Sequence, residues 1–393
     1  MSGWETSRFK EHFAIGLRNG LTKPSRVRGS GLPMVNMKEI FGYEVITDQT
    51  PMELVPVSEN EIESSLLEHD DLLFARQSLV ESGAGKIAIY KGSQPTVFES
   101  HLIRCRINKN ISDPNFVYYL FKSPIGKGAV STIIQQVAAA GIRGSDLQEL
   151  EFAFPLLPEQ KAIAAVLSSL DDKIDLLHRQ NKTLEAMAET LFRQWFVEEA
   201  QEDWEEGTLG DVAINVRDSV RTSDIQSDAR YVGLEHIDRR NIALQQYGFG
   251  EVVSSNKSAF ECHDILFGKL RPYFHKVCFA PFTGICSTDI LVIRPRRPEW
   301  LAFCLFAFFQ DEVVEFANLG SGGTRMPRTD WGTLKSYPVC LPDIDTLDAF
   351  NAIVLPSIEK ITRNLEQIRT LETLRDTLLP KLMSGEVRVV LDG

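Results

Sequence analysis

Apolar residues recur at alternating steps of four and three through the middle of the chain, the spacing of a helix that packs along a second helix. One polar residue, Asn181, interrupts the series. A helix over this stretch would be about 48 Å long at about 1.5 Å per residue, so one small globule could not cover it. Pro158 suits the first turn, where its missing N–H is not needed. The seam consists of Ile163, Leu167, Leu170, Ile174, Leu177, Asn181, Leu184, Ala188, Leu191 and Trp195.

A second, less regular seam follows 187 residues later. We predict that its helix starts near Pro356 and that Pro380 ends or kinks it, because proline cannot continue the hydrogen bonds of a helix interior. Its straight part should therefore be shorter than the first helix. The seam positions are Phe350, Val354, Ser357, Ile361, Asn364, Ile368, Leu371, Arg375, Leu378 and Leu382.

Each seam contains one asparagine, Asn181 in the first and Asn364 in the second. If the helices pair antiparallel about a pseudo-two-fold axis, positions whose numbers sum to 545 face each other, so the two asparagines meet. Our hypothesis is an amide pair that fixes register and orientation, as single polar seam residues do in coiled coils. The alternative is that one or both amides point to solvent.

The two helical stretches belong to a longer internal repeat. The decapeptide "TLEAMAETLF" begins at position 183, and "TLETLRDTLL" begins at position 370. Upstream fragments pair in the same order, for example "DLLFAR" with "DILFGK" and "PNFVYYLF" with "PEWLAFCL". A period this long indicates duplicated domains rather than a solenoid, whose repeats run about 20 to 50 residues.

The part of each copy that precedes the helix alternates short β-branched or aromatic runs with turn residues. "KIAIYKGSQPTVFESHLIRCRI", from Lys86 to Ile107, is an example of this strand-and-turn pattern. An apolar helix follows in each copy. The second of these, "WLAFCLFAFF", is about half as long as a bilayer crossing, so it predicts a buried helix. We expect a cytoplasmic protein, since nothing at the start resembles a signal peptide.

These patterns predict an α+β fold, in which two similar domains of mixed α/β structure are joined by two long antiparallel coiled-coil helices with an internal pseudo-two-fold repeat. The expected boundaries are residues 1–154 for the first mixed domain and 155–200 for the central helical region. Residues 201–341 form the second mixed domain, and residues 342–393 form the last helical region.

The net charge of −12 is unevenly distributed along the chain. Residues 151–206 carry −8 and residues 343–393 carry −3, so the helical regions hold almost all of the surplus. Residues 269–297 instead hold six basic residues against the single acid Asp289. Local basic surfaces therefore exist in an acidic protein, although a basic cluster is often only a solvated surface.

The sequence offers no catalytic or metal-binding pattern. The six cysteines lie far apart, without CxxC spacing, and are expected to be buried reduced thiols; the histidines show no ligand spacing, so we expect no metal. Neither an NPP nor a DPP motif is present to hold a flipped adenine. "SGAGKIAIY" lacks the first glycine and the final Ser or Thr of a phosphate loop, which favours a glycine-rich hairpin turn.

Two stretches closely resemble the specificity subunit of Type I restriction-modification systems: "PLLPEQKAIAAVLSSLDDKIDLLHRQNKTLEAMAETLFRQWF" and "LRDTLLPKLMSGEV". The resemblance covers essentially the whole chain. It implies two target recognition domains that each read one half of a bipartite, asymmetric DNA site, with the helices setting the spacer between the halves. The mixed domains match the family only in their skeleton, as expected where each member reads different DNA.

The resemblance also implies the partners. The helical regions would dock two modification subunits, which methylate adenine with S-adenosylmethionine, and restriction subunits would add ATP- and magnesium-dependent translocation and cleavage. No cofactor is expected in this chain, which would be a non-catalytic DNA-recognition subunit in phage defence. The alternative is a structural or decoy scaffold of the same fold that binds the modification subunits but not DNA. A self-sufficient nuclease or methylase is disfavoured by the missing motifs.

Loop arginines and lysines are the expected DNA contacts. Arg76 and Lys269 occupy equivalent places in the repeat, and aligning "AAAGIR" with "GSGGTR" brings Arg143 near Arg325 as parts of mobile loops close to DNA. A surface salt bridge is the alternative for each. The candidates are Lys23, Arg26, Arg28, Arg76, Lys86, Arg143, Arg217, Arg221, Lys269, Arg271, Arg325 and Arg328.

Overall fold

The computed structural model describes residues 3–78, 83–136, 140–321 and 326–389. The chain divides into two compact units. Unit 1 comprises Met1–Ile174 and Thr370–Gly393, and unit 2 comprises Asp175–Arg369. The division falls inside the two longest helices, so each of them contributes residues to both units.

Unit 1 contains a main sheet with the strand order β2-β10-β6-β8-β4, a smaller sheet β5-β3-β9, a small sheet β11-β12-β7 and the pair β1-β13. Its strands are β1 Glu5–Arg8, β2 Phe13–Asn19, β3 Leu32–Val35, β4 Val45–Ile46, β5 Glu53–Val55, β6 Leu72–Ala75, β7 Gln77–Ser78, β8 Ile87–Tyr90, β9 Val97–Phe98, β10 Leu102–Ile107, β11 Gln135–Gln136, β12 Ala140–Gly141 and β13 Glu151–Phe154. Its helices are α1 Met37–Gly42, α2 Glu59–Ser65, α3 Pro114–Lys122, α4 Pro124–Ile133, α5 Gly144–Leu147 and the first part of α6 Leu157–Arg193.

Unit 2 contains the sheets β15-β23-β20-β21 and β16-β19-β22-β17-β18 and the pair β14-β24. Its strands are β14 Glu205–Thr208, β15 Ala213–Val216, β16 Ser219–Val220, β17 Arg230–Val232, β18 Gly248–Phe249, β19 Lys257–Phe260, β20 Ile265–Gly268, β21 Val277–Phe279, β22 Gly284–Cys286, β23 Ile290–Pro295 and β24 Pro338–Leu341. Its helices are α7 Leu209–Val212, α8 Leu301–Phe309, α9 Asp311–Leu319, α10 Trp331–Leu334 and most of α11 Ile344–Ser384.

The two units repeat the same strand plan. The order β15-β23-β20-β21 in unit 2 corresponds to β2-β10-β6-β8 in unit 1. In the second sheet, β17 pairs parallel with β22 and antiparallel with β18, as β3 pairs parallel with β9 and antiparallel with β5. Unit 2 extends that sheet by β19 and β16. The predicted α+β class and internal repeat are therefore confirmed.

A buried ion pair explains the repeated "DLLFAR" and "DILFGK" fragments. Asp71, just before β6, accepts two hydrogen bonds from Arg106 on β10 at 2.8 and 2.7 Å. Asp264, just before β20, accepts two from Arg294 on β23 at 2.7 and 2.8 Å. Both aspartates are at most 2% exposed. These bidentate hydrogen bonds from arginine replace the water that the carboxylate loses on burial. They also join two neighbouring strands of the sheet.

The core of unit 1 is closed by residues from both long helices. Aromatic residues of α3 and of the main sheet pack in one cluster with Ile163 and Leu167 from α6. The same cluster includes Leu379, Leu382 and Met383 from α11. Higher numbers on α11 thus meet lower numbers on α6, which is antiparallel pairing. The Asp171 carboxylate also accepts a hydrogen bond from Arg375 at 2.8 Å.

The two helices also pair antiparallel within unit 2. Asn364 donates a hydrogen bond to the Asn181 side-chain oxygen at 2.7 Å, and both residues are buried. Farther along, the rings of Trp195 and Phe350 lie 5.9 Å apart. The structure thus brings together the two asparagines that the seam pattern places opposite each other. Their role in fixing register stays a prediction.

Other seam residues differ in how deeply they are buried. The fully buried members are Ile163, Leu167, Ile174, Leu177, Asn181, Ile361, Asn364 and Ile368, and the half-buried members are Leu170, Leu184, Leu191, Leu371 and Leu378. The predicted start of the first helix at Pro158 is confirmed, since α6 begins at Leu157.

The prediction that Pro356 starts the second helix was wrong, and Pro380 does not end it, since α11 runs over 41 residues. The 37 residues of α6 are followed directly by a five-residue π-helix, Gln194–Glu198, so the two helical stretches are nearly equal in length. Each interior proline removes one hydrogen bond and costs about 3 kcal/mol. Buried apolar residues on both sides, such as Val354 and Ile358 beside Pro356, offset that cost by about 1.5–3 kcal/mol for each side chain.

Two further expectations concern buried residues. The apolar run around α8 is a buried helix, as predicted, with Ala302 through Phe309 all buried. Among the described residues, no helix is both long and apolar enough to span a membrane.

Four cysteines are buried, but Cys262 and Cys340 are exposed, so the expectation of buried thiols was wrong for these two. Cys262 follows β19 and Cys340 lies in β24. In strands this short, the sequence pattern does not show which face is buried.

Candidate nucleic-acid interface

The candidate interface of unit 1 is built around Arg76, the residue that follows β6. Its backbone N–H donates to the carbonyl of His101 at 2.8 Å, and its carbonyl accepts from Ile142 at 2.9 Å. The loop after β6 is thereby joined to the loop that precedes α5, and β7 extends this contact by pairing with β12. Arg76 itself is half-buried.

Lys269, which follows β20, occupies the same position in unit 2. Its N–H donates to the carbonyl of Asp289 at 2.8 Å, and its carbonyl accepts from Thr329 at 3.1 Å. Leu270 and Arg328 form the antiparallel bridge that corresponds to the β7-β12 pairing. The structure therefore supports the equivalence of Arg76 and Lys269 in the repeat.

Positive charge converges around Lys269 in a cleft of unit 2, which we call the basic cleft. Lys269 and Arg217 both line it, together with Asn215, the hydroxyl-bearing residues Ser219, Ser258 and Thr288, and one acid, Asp330, whose carboxylate accepts a hydrogen bond from the Thr333 N–H at 2.9 Å. Arg328 forms an ion pair with Asp289 at its edge. Burial lowers the pKa of Lys269, and the positive charges of Arg328 and Arg217 lower it further, whereas Asp289 raises it. An anion placed in the cleft would relieve this repulsion.

Two other predicted arginines of unit 2 lie in different surroundings. Residues 269–271 pair with residues 327–329 as a short two-stranded ribbon. Arg271 is exposed at its end, and the Arg271 N–H donates to the carbonyl of Pro327 at 2.8 Å. Arg221 is exposed at the start of the short turn Thr222–Asp224 and does not line the basic cleft. Arg325 lies outside the described residues, as do most of the loop "GSGGTR" and part of "AAAGIR".

The predicted residues of the first loop in unit 1 are held by acidic partners. Lys23 forms an ion pair with Glu61 at 2.7 Å, and its side chain is only 13% exposed. Arg28 pairs with Glu53 and donates to the carbonyl of Lys23 at 3.0 Å. Arg26, between them, is exposed. Of these three side chains, Arg26 is the one presented to solvent.

Lys86 and Arg143 also occupy distinct positions. The Lys86 ammonium donates to the backbone carbonyl of Phe41 at 3.0 Å and lies 5.3 Å from the centre of the Phe41 ring. Arg143 is exposed and directly precedes α5. At the corresponding place in unit 2, Asp330 directly precedes α10. The alignment of Arg143 with Arg325 stays a prediction, since Arg325 lies outside the described residues.

Sequence reasoning missed Arg239, whose guanidinium lies 3.9 Å from the centre of the Phe274 ring. It also missed the exposed Tyr273 beside that ring. The available signal was the aromatic pair inside "KLRPYFHK", because aromatic and basic residues together favour nucleic-acid contact. Within the described part of the chain, no group of three or more His, Cys, Asp or Glu residues could hold a metal ion.

Comparison with known proteins gives a consistent result. The Type I restriction enzyme MjaIX specificity subunit of Methanocaldococcus jannaschii is 24% identical, over 98% of this chain and 94% of its own length. The putative MjaX specificity subunit of the same organism is 29% identical over the same shares. Residues 1–186 match the family described as Type I restriction modification DNA specificity domain. Over almost its whole length the chain is therefore similar to Type I specificity subunits, and residues 1–186 resemble the DNA specificity domain of that family.

One solved structure has a fold similar to that of this chain. The crystal structure of a Type I restriction-modification S subunit from M. genitalium superposes with a TM-score of 0.63. The match covers 97% of this chain and 96% of that one, at 17% sequence identity. At this identity the likeness concerns the fold alone.

Proposed function

We propose that this chain is the DNA-sequence specificity subunit of a Type I restriction-modification complex. Each unit reads one half of a bipartite, asymmetric DNA site through the loops that follow β6 and β20. The observation that carries the proposal is the basic cleft of unit 2, where Lys269 and Arg217 lie near the edge residue Arg328; in unit 1, Arg76 occupies the position equivalent to Lys269. Converging cations beside hydroxyl groups suit a phosphate of the DNA backbone.

The long helices have a separate role in this proposal. Residues 151–206 and 343–393, which include α6 and α11, carry net charges of −8 and −3. Such surfaces repel phosphate, so they are suited to protein partners. The two helices fix the spacer between the half-sites and dock two modification subunits. The seam asparagines hold the register on which that spacing depends.

The subunit itself is non-catalytic in this proposal and acts in the cytoplasm. Adenine methylation with S-adenosylmethionine belongs to the modification subunits, and ATP- and magnesium-dependent translocation and cleavage belong to the restriction subunits. The lack of NPP and DPP motifs in the sequence supports this division. The specificity-subunit relatives support the assignment of DNA recognition to this chain.

The test starts from the complex of this chain with its modification subunits. Sequencing methylated adenines in cells that carry the complex yields the two half-site words and the spacer. DNA binding is then measured over a range of salt concentrations for the natural chain and for Lys269→Ala. We expect about a tenfold loss of affinity and a salt slope shallower by about one, because one phosphate contact and its released counterion are lost.

Arg297→Ala is the matched control. Arg297 is 72% exposed in the same unit, and the substitution removes one positive charge outside the basic cleft. Its affinity should stay within about twofold of the natural chain. Equal losses in the two variants would contradict the cleft as the contact. A complex that assembles and binds DNA without sequence preference would instead favour a scaffold that does not read DNA.

A further inference from the structure

A short turn in unit 2, residues 271–275, has an unusual backbone. Arg271 and His275 both adopt left-handed conformations, with φ values of 49° and 50°. Residues Pro272–Phe274 form a single 3-10 turn between them. Residues with a side chain pay about 1–2 kcal/mol to enter this region. We call residues 271–275 the aromatic turn.

The surrounding structure holds the aromatic turn in place. At one end, the Arg271 N–H donates to the carbonyl of Pro327 at 2.8 Å. At the other end, the carbonyl of His275 accepts from the N–H of Arg240 at 2.9 Å. Arg240 is also left-handed, and its guanidinium bonds Glu189 of α6 at 2.7 Å and pairs with Asp311 of α9. Strain fixed in this manner is typical of functional sites.

The aromatic turn presents an aromatic side chain between cations. Tyr273 is 53% exposed, whereas Pro272 and His275 are buried. The Phe274 ring lies 4.7 Å from that of Tyr273 and carries the Arg239 guanidinium 3.9 Å above its face. The Arg271 guanidinium lies 5.9 Å from the same ring. The Tyr273 ring thus packs against Phe274 on one side, while about half of its surface stays accessible to a ligand.

The aromatic turn is continuous with the basic cleft. Lys269 and Arg271 are two residues apart on the ribbon that pairs with residues 327–329. Duplex DNA is the ligand that combines a negative backbone with apolar base edges and stacked faces, so it matches cations that flank an exposed aromatic ring. A rigid tyrosine also loses little conformational entropy when it binds.

We propose that Tyr273 contacts bases of the second half-site and that Arg239 and Arg271 contact the adjacent phosphates. This inference rests on the proposed function and adds the residue that determines sequence preference in unit 2. Arg240 is its positioning residue, because it joins the end of the aromatic turn to α6 and α9. The phosphate contacts place the turn, and the tyrosine distinguishes the sequence.

The test uses the full complex with its modification subunits and a set of duplexes that vary each position of the two half-sites. Tyr273→Ala should reduce discrimination about tenfold at one or two positions of the second half-site, with the first half-site and the salt slope unchanged. Arg239→Gln should weaken binding to all sequences by a similar factor and reduce the salt slope by about one.

Tyr43→Ala is the matched control, because Tyr43 of unit 1 is 41% exposed. It should leave second-half discrimination unchanged. Tyr273→Phe separates the ring from its hydroxyl group: retained discrimination identifies apolar contact, and lost discrimination identifies a hydrogen bond to a base. Both results support a base contact.

The inference is overturned if Tyr273→Ala folds, assembles and discriminates at every second-half position like the natural chain. A shallower salt slope with unchanged discrimination overturns it too, because Tyr273 would then contact phosphate only. If the natural chain itself shows no sequence-selective binding, the proposed function fails, and that outcome is visible before any variant is made.

Discussion

The two units share a buried ion pair but differ in the charges exposed beside it. Asp71 with Arg106 and Asp264 with Arg294 have nearly the same hydrogen-bond lengths. In unit 1, by contrast, basic residues of the first loop are neutralised by nearby acids. In unit 2, Arg328 and Arg217 lie close enough to Lys269 to lower its pKa, although Arg328 also pairs with Asp289. The difference shows that the strand framework is fixed by buried groups, while the surface can change without disturbing it.

The sheets of the two units also share a common framework and differ at their edges. Four strands of the sheet that holds the ion pair correspond in the two units, and unit 1 adds β4 at the edge of that sheet. The second sheet has three strands in unit 1 and five in unit 2. Added strands at a sheet edge cost little, since they leave the existing pairings intact. A duplicated domain can thus acquire a new contact surface by changes at its edges.

Breaking the shared ion pair gives the largest expected effect. Asp264→Ala should lower the free energy of unfolding by about 2–3 kcal/mol, because it removes the buried carboxylate that accepts two hydrogen bonds from Arg294, while the arginine, 33% exposed, can still be solvated. Urea denaturation measures the change. Glu261→Gln is the control: Glu261 also pairs with Arg294 but is 68% exposed, so the cost should stay below about 1 kcal/mol. If Asp71→Ala proves harmless while Asp264→Ala does not, the two pairs are not equivalent.

A second experiment sharpens the comparison through pH. Burial raises the pKa of Glu185 on α6 to about 7, and the neighbouring Glu189 adds to this, although a hydrogen bond from the Ile242 N–H opposes it. The folded state therefore binds a proton more tightly than the unfolded state, so this group's contribution to stability falls as pH rises from about 4.5 to about 7.

Glu185→Gln keeps an oxygen for the Ile242 N–H but removes the charge. Relative to the natural chain, the variant should gain about 2 kcal/mol between pH 5 and pH 8, as measured by urea denaturation across that range. Glu198→Gln, at an exposed position beyond α6, supplies a charge-matched baseline. Parallel stability curves for the natural chain and Glu185→Gln would contradict the prediction.

The seam asparagines give the smallest expected effect. Asn364→Leu alone should cost about 1–2 kcal/mol, since it leaves the Asn181 amide buried without its partner. Changing both residues to leucine should restore most of that stability, and a double-mutant cycle measures the coupling. The double variant should also lose a unique register, detectable as a change in oligomeric state. Unchanged register and oligomeric state in that variant would remove the proposed role of the amides.

Local periodicity made much of the helical framework predictable. The seam spacing and Pro158 located α6, and the repeat alone placed Asn181 opposite Asn364. α11 was mispredicted because the intrinsic cost of Pro356 and Pro380 was weighed without the packing on both sides. Helix propensity is a local property, and tertiary packing overrides it here.

The candidate interface was less predictable, because its properties depend on contacts between distant segments. No local pattern shows that Lys23 meets Glu61 or that Arg217 shares a cleft with Lys269. The aromatic turn was hidden for another reason. Arg271 and His275 are left-handed without being glycine, so the sequence carries no sign of their backbone conformation.

The contribution of α11 to unit 1 has a consequence for biosynthesis. Leu379, Leu382 and Met383 are part of the same core as Phe9 and Phe74. A ribosome adds these three residues hundreds of positions after the strands they cover. The N-terminal part of unit 1 is therefore synthesised with part of its apolar core exposed to solvent, and the core is complete only after α11 has been synthesised. Unit 2 ends at Arg369, so all of its residues are synthesised earlier.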